Sequence, residues 1–493
     1  MAKIKLAASV ILSRGKGEDT EVYLCLRAPE LKFFGGYWVF PGGNLDSELD
    51  VLHEDESIET SLHRCAVREL LEEVDVLSST LGTSFSISKK NELKALLKES
   101  PEKWIDFIST YGPEFSDIEP VFRITTPPFI PVRFDTQFLH VQLDENETPA
   151  VDQHELVDGC FMRPADAIGA WEKGDMDIAP PVLFQLRLLD EHGLAGFTPE
   201  AAKIEKELHD GALHQAYFSP GIFMAPLQTP TLPPATTTNT LIVGTETLFV
   251  VDPATPDTEE QRRLIQHMDG LRAQGKQFEA ILLTHHHSDH VGAVNQLSQH
   301  FQLPVHAHEE CFKRIPSGYL KGKALRDGDR LELGHAPDGS ADWHLSVLHT
   351  PGHAVDHLCY VDSRYNAAII GDMLSTLSTI VIDPPEGHMR TYLEQLQRLA
   401  QQDFTTIYPS HGPPRRDGVK IFREFIEHRK EREEEIMSAL SPTASKLEEL
   451  LPVIYSDVPR QVYPIASRSL LAGLIKLEED GLCIEDASGW RRA

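Results

Sequence analysis

Between Phe249 and Pro414 the chain repeats one pattern: a short apolar run of strand character ending in a loop that carries histidine or aspartate. The runs are "AILLTHHHSDH", "LSVLHTPGHAVDH", "AAIIGDM" and "TTIYPSHGPP". Short apolar runs bounded by turn residues read as buried strands. Strands that end in polar loops are how α/β enzymes present their chemistry. The region is therefore expected to be α/β, with its reactive groups gathered at strand ends.

The groups in those loops share one chemistry. In "THHHSDH", His285 and His287 alternate, as side chains do when they leave a strand toward one side, and Asp289 and His290 follow at once. His353, Asp372 and His411 supply one further group in each later loop. Neutral imidazole and carboxylate are borderline ligands that suit Zn²⁺ and related first-row metals. Seven such groups are enough for two metals, one mostly histidine-bound and the second sharing Asp372. The competing reading is a surface histidine cluster beside unrelated core histidines. Four ligand-bearing loops in order weigh against it.

Length and charge bound what surrounds this region. A chain of 493 residues suggests about three domains. Its 41% hydrophobic and 25% charged residues are those of a soluble globular protein. The formal net charge of −30, from 46 basic and 76 acidic side chains, repels polyanions at long range and disfavours a nucleic-acid-coating role. A small anionic substrate at a metal centre is still compatible, because a local cation outweighs the distant field. Six cysteines are scattered without a CxxC pair, which suits reduced, buried thiols. No signal-peptide pattern and no long apolar run is visible, so a cytoplasmic location is expected.

Three parts follow along the chain: residues 1–198, 205–428 and 429–493. The first reads as strand, loop, helix and further strands, with Ile58, Leu62, Ala66, Leu70 and Val74 spaced four apart. The polar stretch "TPEAAKIEKELHDGA" is expected to carry the first boundary, near residue 200. The last part begins with the charged "HRKEREEEIMSAL" and reads as three short helices, with Leu470, Leu471, Leu474 and Leu477 on one face.

"THHHSDH", "TPGHAVDH", "GDM" and "SHGP" together resemble the metallo-β-lactamase superfamily, whose core motif is HxHxDH. The upstream "LFVVDPATP" is similar to its first motif and puts Asp252 in an outer supporting place. The resemblance covers about Phe218 to Pro414. It implies an αββα sandwich with one metal held by His285, His287 and His353. A second would be held by Asp289, His290 and His411, with Asp372 between them. His286 stands in a variable position of the motif and is expected to be a bystander, while His357 and His388 are expected to play ordinary polar roles. Two cations sharing a water supply hydroxide near neutral pH, so the implied reaction is hydrolysis. Asp289 could orient or take up the proton as well as bind metal.

A second constellation lies nearer the N-terminus. "RELLEE" sets Glu69, Glu72 and Glu73 on one helical face. Crowded carboxylates repel unless a hard cation such as Mg²⁺ gathers them. From these residues alone a solvated acidic face is the stronger reading. With "FPGG" at Phe40 to Gly43 upstream, however, the segment resembles the Nudix hydrolases over about residues 4 to 197. That family implies an α/β/α sandwich in which Glu69, Glu72 and Glu73 bind Mg²⁺ and Arg68 orients them.

The sequence departs from the family pattern in two places. The stretch between Gly43 and Arg68 is long, so the upstream box glutamate has no clear equivalent, Glu59 being only a neighbour. Asp75 stands where the family has glycine, and aspartate tolerates a left-handed helix end better than most residues. "YLCLRAPELKFFGGYWVFPGG", with Arg27, Ala28 and Gly36, is similar to the segment that marks coenzyme A-directed Nudix enzymes. Lys32 and Cys25 stand where that pattern has arginine and threonine. "RFDTQFL" and the "APP" near Pro180 look like the larger peroxisomal-type branch of these enzymes.

The tail resembles a winged helix carried by one β-lactamase-like branch that includes an endoribonuclease. The segment from Ala466 to Asp480 has only Arg468 and Lys476 against Glu478, Glu479 and Asp480. A groove-reading helix should be more basic, so packing or homodimerisation is expected of it. The combined expectation is a hydrolase with a dinuclear zinc-type site cleaving a thioester or ester. Beside it a Mg²⁺-dependent Nudix site would act on a nucleoside diphosphate derivative, and an acyl-CoA could serve both. The alternative is a metal-dependent endoribonuclease with the Nudix part as a nucleotide-binding module. Hydrolysis of β-lactam antibiotics is disfavoured by the missing secretion signal and the fused Nudix part.

Overall fold

A computed structural model describes residues 4–51, 53, 55–77, 85–111, 118–126, 132–143, 147–213 and 216–493. They form two compact units, Met1–Pro220 and Gly221–Ala493.

The first unit is built on a mixed sheet. Strand Lys5–Arg14 lies between Glu21–Arg27 and Phe134–Gln142, with Glu119–Thr125 and Trp38–Val39 outside them. Lys5–Arg14 runs parallel to Phe134–Gln142 and antiparallel to Gly42–Asn44. Alternation along the central strand decides what covers each face. Val10 and Leu12 pack with Leu62, Cys65, Ala66 and Leu70 of the Ile58–Val74 helix. Ile11 packs on the other face with Val182, Leu183 and Leu186. The result is the expected α/β/α sandwich. Of the four-apart apolar set, Ile58 in the helix's first turn is exposed while the other four residues are buried.

The stretch "TPEAAKIEKELHDGA" belongs mostly to a helix, Pro180–His209, that is interrupted at Gly193, where φ is +63°. Phe197 and Ala201 are buried in the first unit's core, which anchors this otherwise polar segment. Polar composition thus marks the outer face of a helix there, and the compact units divide later, after Pro220.

The second unit has two sheets. One contains the strands Leu320–Leu325, Pro304–His308, Gln277–Leu282, Thr247–Val251, Thr237–Gly244 and Ile222–Gln228, in that spatial order. The other has the order Arg330–Gly334, Trp343–His349, Leu358–Asp362, Ala367–Gly371, Thr406–Pro409. The Met389–Leu399 helix buries Tyr392, Leu396 and Leu399 against Ile370 and Ile407 of the second sheet.

The C-terminal region differs in one respect from three short helices. Its first helix is long, Gly418–Ala439, because Ile421, Phe422 and Ile426 are buried in the sheet's core while Ile436 joins the tail's own. Leu447–Ile454, Tyr463–Glu479 and the hairpin Cys483–Asp486 with Gly489–Arg492 complete it. Leu470, Leu474 and Leu477 are buried as their spacing predicts, and Leu471 is half-buried. All six cysteines are free thiols. Among the described residues, no helix is long and apolar enough to cross a membrane.

Candidate metal centre

Strand Gln277–Leu282 delivers Leu283 and Thr284 to the start of the histidine loop. Thr284 is fully buried and donates twice to Asp252, from its backbone N at 2.7 Å and its hydroxyl at 2.5 Å. Asp252 ends its own strand in a left-handed conformation, φ +45°. Its Oδ2 also accepts a bond of 2.9 Å from His290 Nδ1. One carboxylate therefore ties two strand ends together and commits the other nitrogen of His290, Nε2, to face inward.

The other histidines are set in the same way. His353 Nδ1 donates to the Val381 carbonyl at 2.9 Å, and His411 Nδ1 to the Thr237 carbonyl at 3.0 Å. His285 Nδ1 lies 3.0 Å from the Thr284 hydroxyl. Each ring is fixed from outside while one nitrogen is left for the centre, the arrangement found around metal-ligating imidazoles.

The inward atoms converge in two overlapping groups. His287 Nδ1 lies 3.0 Å from both His285 Nε2 and His353 Nε2. His290 Nε2, His411 Nε2 and the Asp289 carboxylate form the second group, with His411 3.6 Å and His290 3.9 Å from Asp289. Asp372 reaches both. Its Oδ1 is 3.6 Å from His290 Nε2 and 3.5 Å from His411 Nε2, and its Oδ2 is 3.5 Å from His353 Nε2.

Two buried atoms here, His290 Nε2 and Asp372 Oδ1, have no hydrogen-bond partner. An orphaned polar atom in a protein interior is costly and calls for an explanation. Facing lone pairs of imidazole and carboxylate at cation-sharing distance supply one: the donor set fits divalent metals of the zinc type.

Electrostatics divides the cluster. Burial, then the neighbouring imidazoles, holds His285 well below the usual histidine range, and burial puts His353 at about 4. Both are free bases at neutral pH. For His290, burial opposes the proton, but the Asp372 and Asp252 carboxylates overcome it and raise the pKa. His411 is raised by Asp372 against the same opposition. Asp372 is held low by His411 and His290 in spite of its burial. A positive charge beside Asp372 is thus favoured.

His357 lies behind the centre. Its Nδ1 is 2.8 Å from the Thr350 hydroxyl, and its Nε2 accepts from the Asp372 backbone N at 3.0 Å. The turn before Asp372 requires glycine: at Gly371, φ +52°, a Cβ would sit 2.4 Å from that His357 nitrogen. His388 caps the Met389–Leu399 helix and meets Glu479 at 2.8 Å. His286 has partners of its own. Its Nδ1 lies 2.8 Å from the fully buried Asp356, and its Nε2 3.1 Å from Glu386. Sequence reasoning passed over Thr284, Asp356 and Glu386. Asp356 could have been noticed inside "TPGHAVDH", whereas Glu386, in "DPPEGH", carries no pattern that marks it.

The acidic helix of the first unit is organised around a cation already present. Arg68, itself buried, donates to Glu69 at 2.8 Å, to Glu72 at 2.7 Å and to both oxygens of Asp50 at 2.9 Å. Glu73 accepts from the Gly42 backbone N at 2.7 Å. Gly43 lets the strand pass close, since a Cβ there would meet the Glu69 carboxylate at 2.2 Å. Burial raises the pKa of Glu69, and burial together with the Glu69 charge raises that of Glu73.

Among the described residues these three carboxylates do not converge on one point as the histidine groups do. Asp50, fully buried, was missed in the sequence because it lies within the lengthened stretch. Glu59 is exposed, 3.9 Å from Arg123, and Glu56 pairs with Arg64. Asp75 takes the left-handed helix end, φ +56° and ψ +30°.

Comparison with known proteins follows the same divisions. Residues 3–182 match the family model of the NUDIX domain, 232–411 that of the metallo-beta-lactamase superfamily, and 447–490 that of the beta-lactamase associated winged helix domain. A lactamase-like protein, adaB, of Aspergillus niger is 26% identical over 258 residues, covering 49% of this chain and 75% of that protein. A hydroxyacylglutathione hydrolase of Bdellovibrio bacteriovorus is 34% identical over 145 residues, 29% of this chain and 53% of that protein. An atrochrysone carboxyl ACP thioesterase of Pseudocercospora fijiensis is 29% identical over 205 residues, 41% of this chain and 56% of that protein.

Proposed function

From the premise that this chain is a hydrolase joining a Nudix domain, a metallo-β-lactamase domain and a β-lactamase-associated winged helix, we propose that its second unit cleaves a thioester or related ester at a two-cation centre. The observation that carries this reading is the pair of orphaned buried atoms, His290 Nε2 and Asp372 Oδ1, within two groups of inward-facing ligand atoms that Asp372 joins.

His285, His287 and His353 would hold one cation and Asp289, His290 and His411 the other, with Asp372 shared. Bound there, the cations would supply a hydroxide nucleophile near neutral pH and polarise the carbonyl under attack. The chain's own residues do the rest. Asp252 and Thr284 hold His290 and the histidine loop in register. Asp289, with its side chain 18% exposed, is the least buried carboxylate of the two groups and is placed to orient or take up a proton as well as to hold a cation. The thioester preference draws on two similar proteins, a hydroxyacylglutathione hydrolase and an acyl carrier protein thioesterase by name.

The first unit would act on the diphosphate of a nucleotide derivative, with Glu69, Glu72 and Glu73 taking Mg²⁺ once Arg68 yields Glu72, the more exposed of its partners. An acyl-CoA contains both a thioester and a diphosphate, which makes it the economical shared substrate. The RNA-cleaving alternative has less support: Arg468 faces Asp383, and Lys476 faces Glu433 and Asp480, so the helix offers a polyanion little free charge.

The test is mass spectrometry of products from a panel of acyl-CoAs incubated with zinc- and magnesium-loaded protein, alongside Asp289→Ala and Glu72→Gln. Free CoA that disappears in the first variant assigns thioester cleavage to the histidine centre. Acyl-phosphopantetheine with adenosine bisphosphate, lost in the second, assigns the diphosphate bond to the Nudix site. No turnover of any CoA ester would sink the proposal and make single-stranded RNA the next substrate.

A further inference from the structure

The segment from Ile380 to Arg390 does two things at once. On one side it supports the His287–His353 half of the centre. Its Val381 carbonyl accepts from His353 Nδ1, and its Glu386 carboxylate lies 3.8 Å from His287 Nε2, the nitrogen opposite the one that faces the centre. The same carboxylate lies 3.1 Å from His286 Nε2, whose ring Asp356 fixes from behind. Glu386 Oε1 is buried, yet no N–H points along a hydrogen bond to it.

On the other side, four residues of the C-terminal region hold the segment. Arg429 donates to the Ile380 carbonyl, and Arg468 lies 3.2 Å from Asp383. Glu479 accepts from Arg390 at 2.9 Å and lies 2.8 Å from His388 Nε2. Asp480 pairs with Arg390 at 2.7 Å. Within the tail helix Tyr463–Glu479, Arg468 is spent on this segment and Lys476 on Glu433 and Asp480.

We propose that Glu386 is a positioning residue for His287, and that the winged-helix tail holds it in place. A ligating histidine usually gives its outer N–H to a carboxylate, which fixes the ring and raises its basicity. Of the three histidines in this group, His285 has Thr284 and His353 has Val381 in that role. His287 has Glu386. The tail therefore belongs to the hydrolytic unit as the brace of its metal centre.

The inference rests on the reading of His285, His287 and His353 as ligands. Its test is the affinity of chelator-stripped, full-length protein for Zn²⁺, measured against a chromophoric chelator, with the absorption spectrum of the Co²⁺-substituted protein as second readout. Glu386→Gln is expected to weaken one of the two tight equivalents by roughly 10- to 100-fold and to shift the Co²⁺ spectrum. Arg468→Ala combined with Glu479→Gln, both on the surface, is expected to act in the same direction by a smaller factor and to add little once Glu386 is gone.

Unchanged affinity and spectrum in Glu386→Gln would overturn the positioning role. An effect of Glu386→Gln with none from the tail variant would overturn the bracing. A third Zn²⁺ equivalent lost with Glu386 would make it a ligand and overturn the proposal in that way. Wild-type protein that binds no tight Zn²⁺ at all would instead overturn the ligand reading itself, a separate outcome.

Discussion

The two candidate sites of this chain solve the same problem in opposite ways. The second unit brings inward-facing nitrogens to 3.0 Å of one another. The first keeps its three glutamates apart, two on Arg68 and one on a backbone N–H. The difference lies in the ligands. Burial holds the His285 and His353 imidazoles neutral, so they can be packed lone pair to lone pair. Carboxylates at that spacing repel, and burying them unpaired is worse. A carboxylate site must therefore carry its own counter-cation until a metal displaces it. One site is pre-assembled and the other is held ready.

The largest effect that would break this comparison is on stability. Arg68→Ala leaves the buried Glu69 and Asp50 without their counter-cation. It should cost about 3–5 kcal/mol in urea unfolding of the magnesium-free protein. Asp289→Ala, by contrast, should change stability by less than about 1 kcal/mol. Equal costs would show that the histidine centre also depends on its charges for folding.

Next comes catalysis. Asp372→Ala removes the carboxylate that, among the described residues, reaches both groups. Thioester cleavage should fall by more than the ~100-fold upper range of an outer partner, while diphosphate cleavage by the same protein stays unchanged. Loss of both activities would mean the sites are coupled.

A smaller effect concerns pH. The pKa of Glu69 is raised and that of Glu73 is pushed up to about 8, both chiefly by burial. Each group holds its proton more tightly folded than unfolded. The stability this confers is present below the ordinary carboxyl range and is lost as pH rises through about 8. Without Mg²⁺ the first unit should lose stability between pH 5 and pH 8. Millimolar Mg²⁺ should recover it, since the cation takes the proton's place. A thermal melt series with and without Mg²⁺ tests both signs.

The smallest is conformational. Asp75→Gly relieves the left-handed helix end at φ +56° and should raise stability by under about 1 kcal/mol. A concurrent change in Mg²⁺ dependence would show that this departure from the family box reaches the glutamates.

Much of this was legible in residues alone because the information was local. A strand's alternation chose the faces on which Val10 and Ile11 pack. The histidine spacing in one loop, and single ligands in three later loops, named the groups that now meet at the centre. Other partners were out of reach. Asp50 sits eighteen residues before Arg68 and binds it at 2.9 Å, yet nothing in their spacing joins them. Polar composition near residue 200 looked like a boundary, where one apolar face of a helix had found a core.

By itself, then, the sequence determined which side chains could hold metal, which segments were strands and helices, and where the chemistry would gather. Those choices depend on residue type and short-range periodicity. Only the tertiary structure decided which nitrogen of each histidine faces inward, that Arg68 occupies the place between the glutamates, and that the tail helix holds the segment bearing Glu386. The first and last turn on contacts between residues far apart in the chain, and Arg68 is held in its place by Asp50, eighteen residues before it. Whether such groups meet depends on how whole elements pack, which no local pattern encodes.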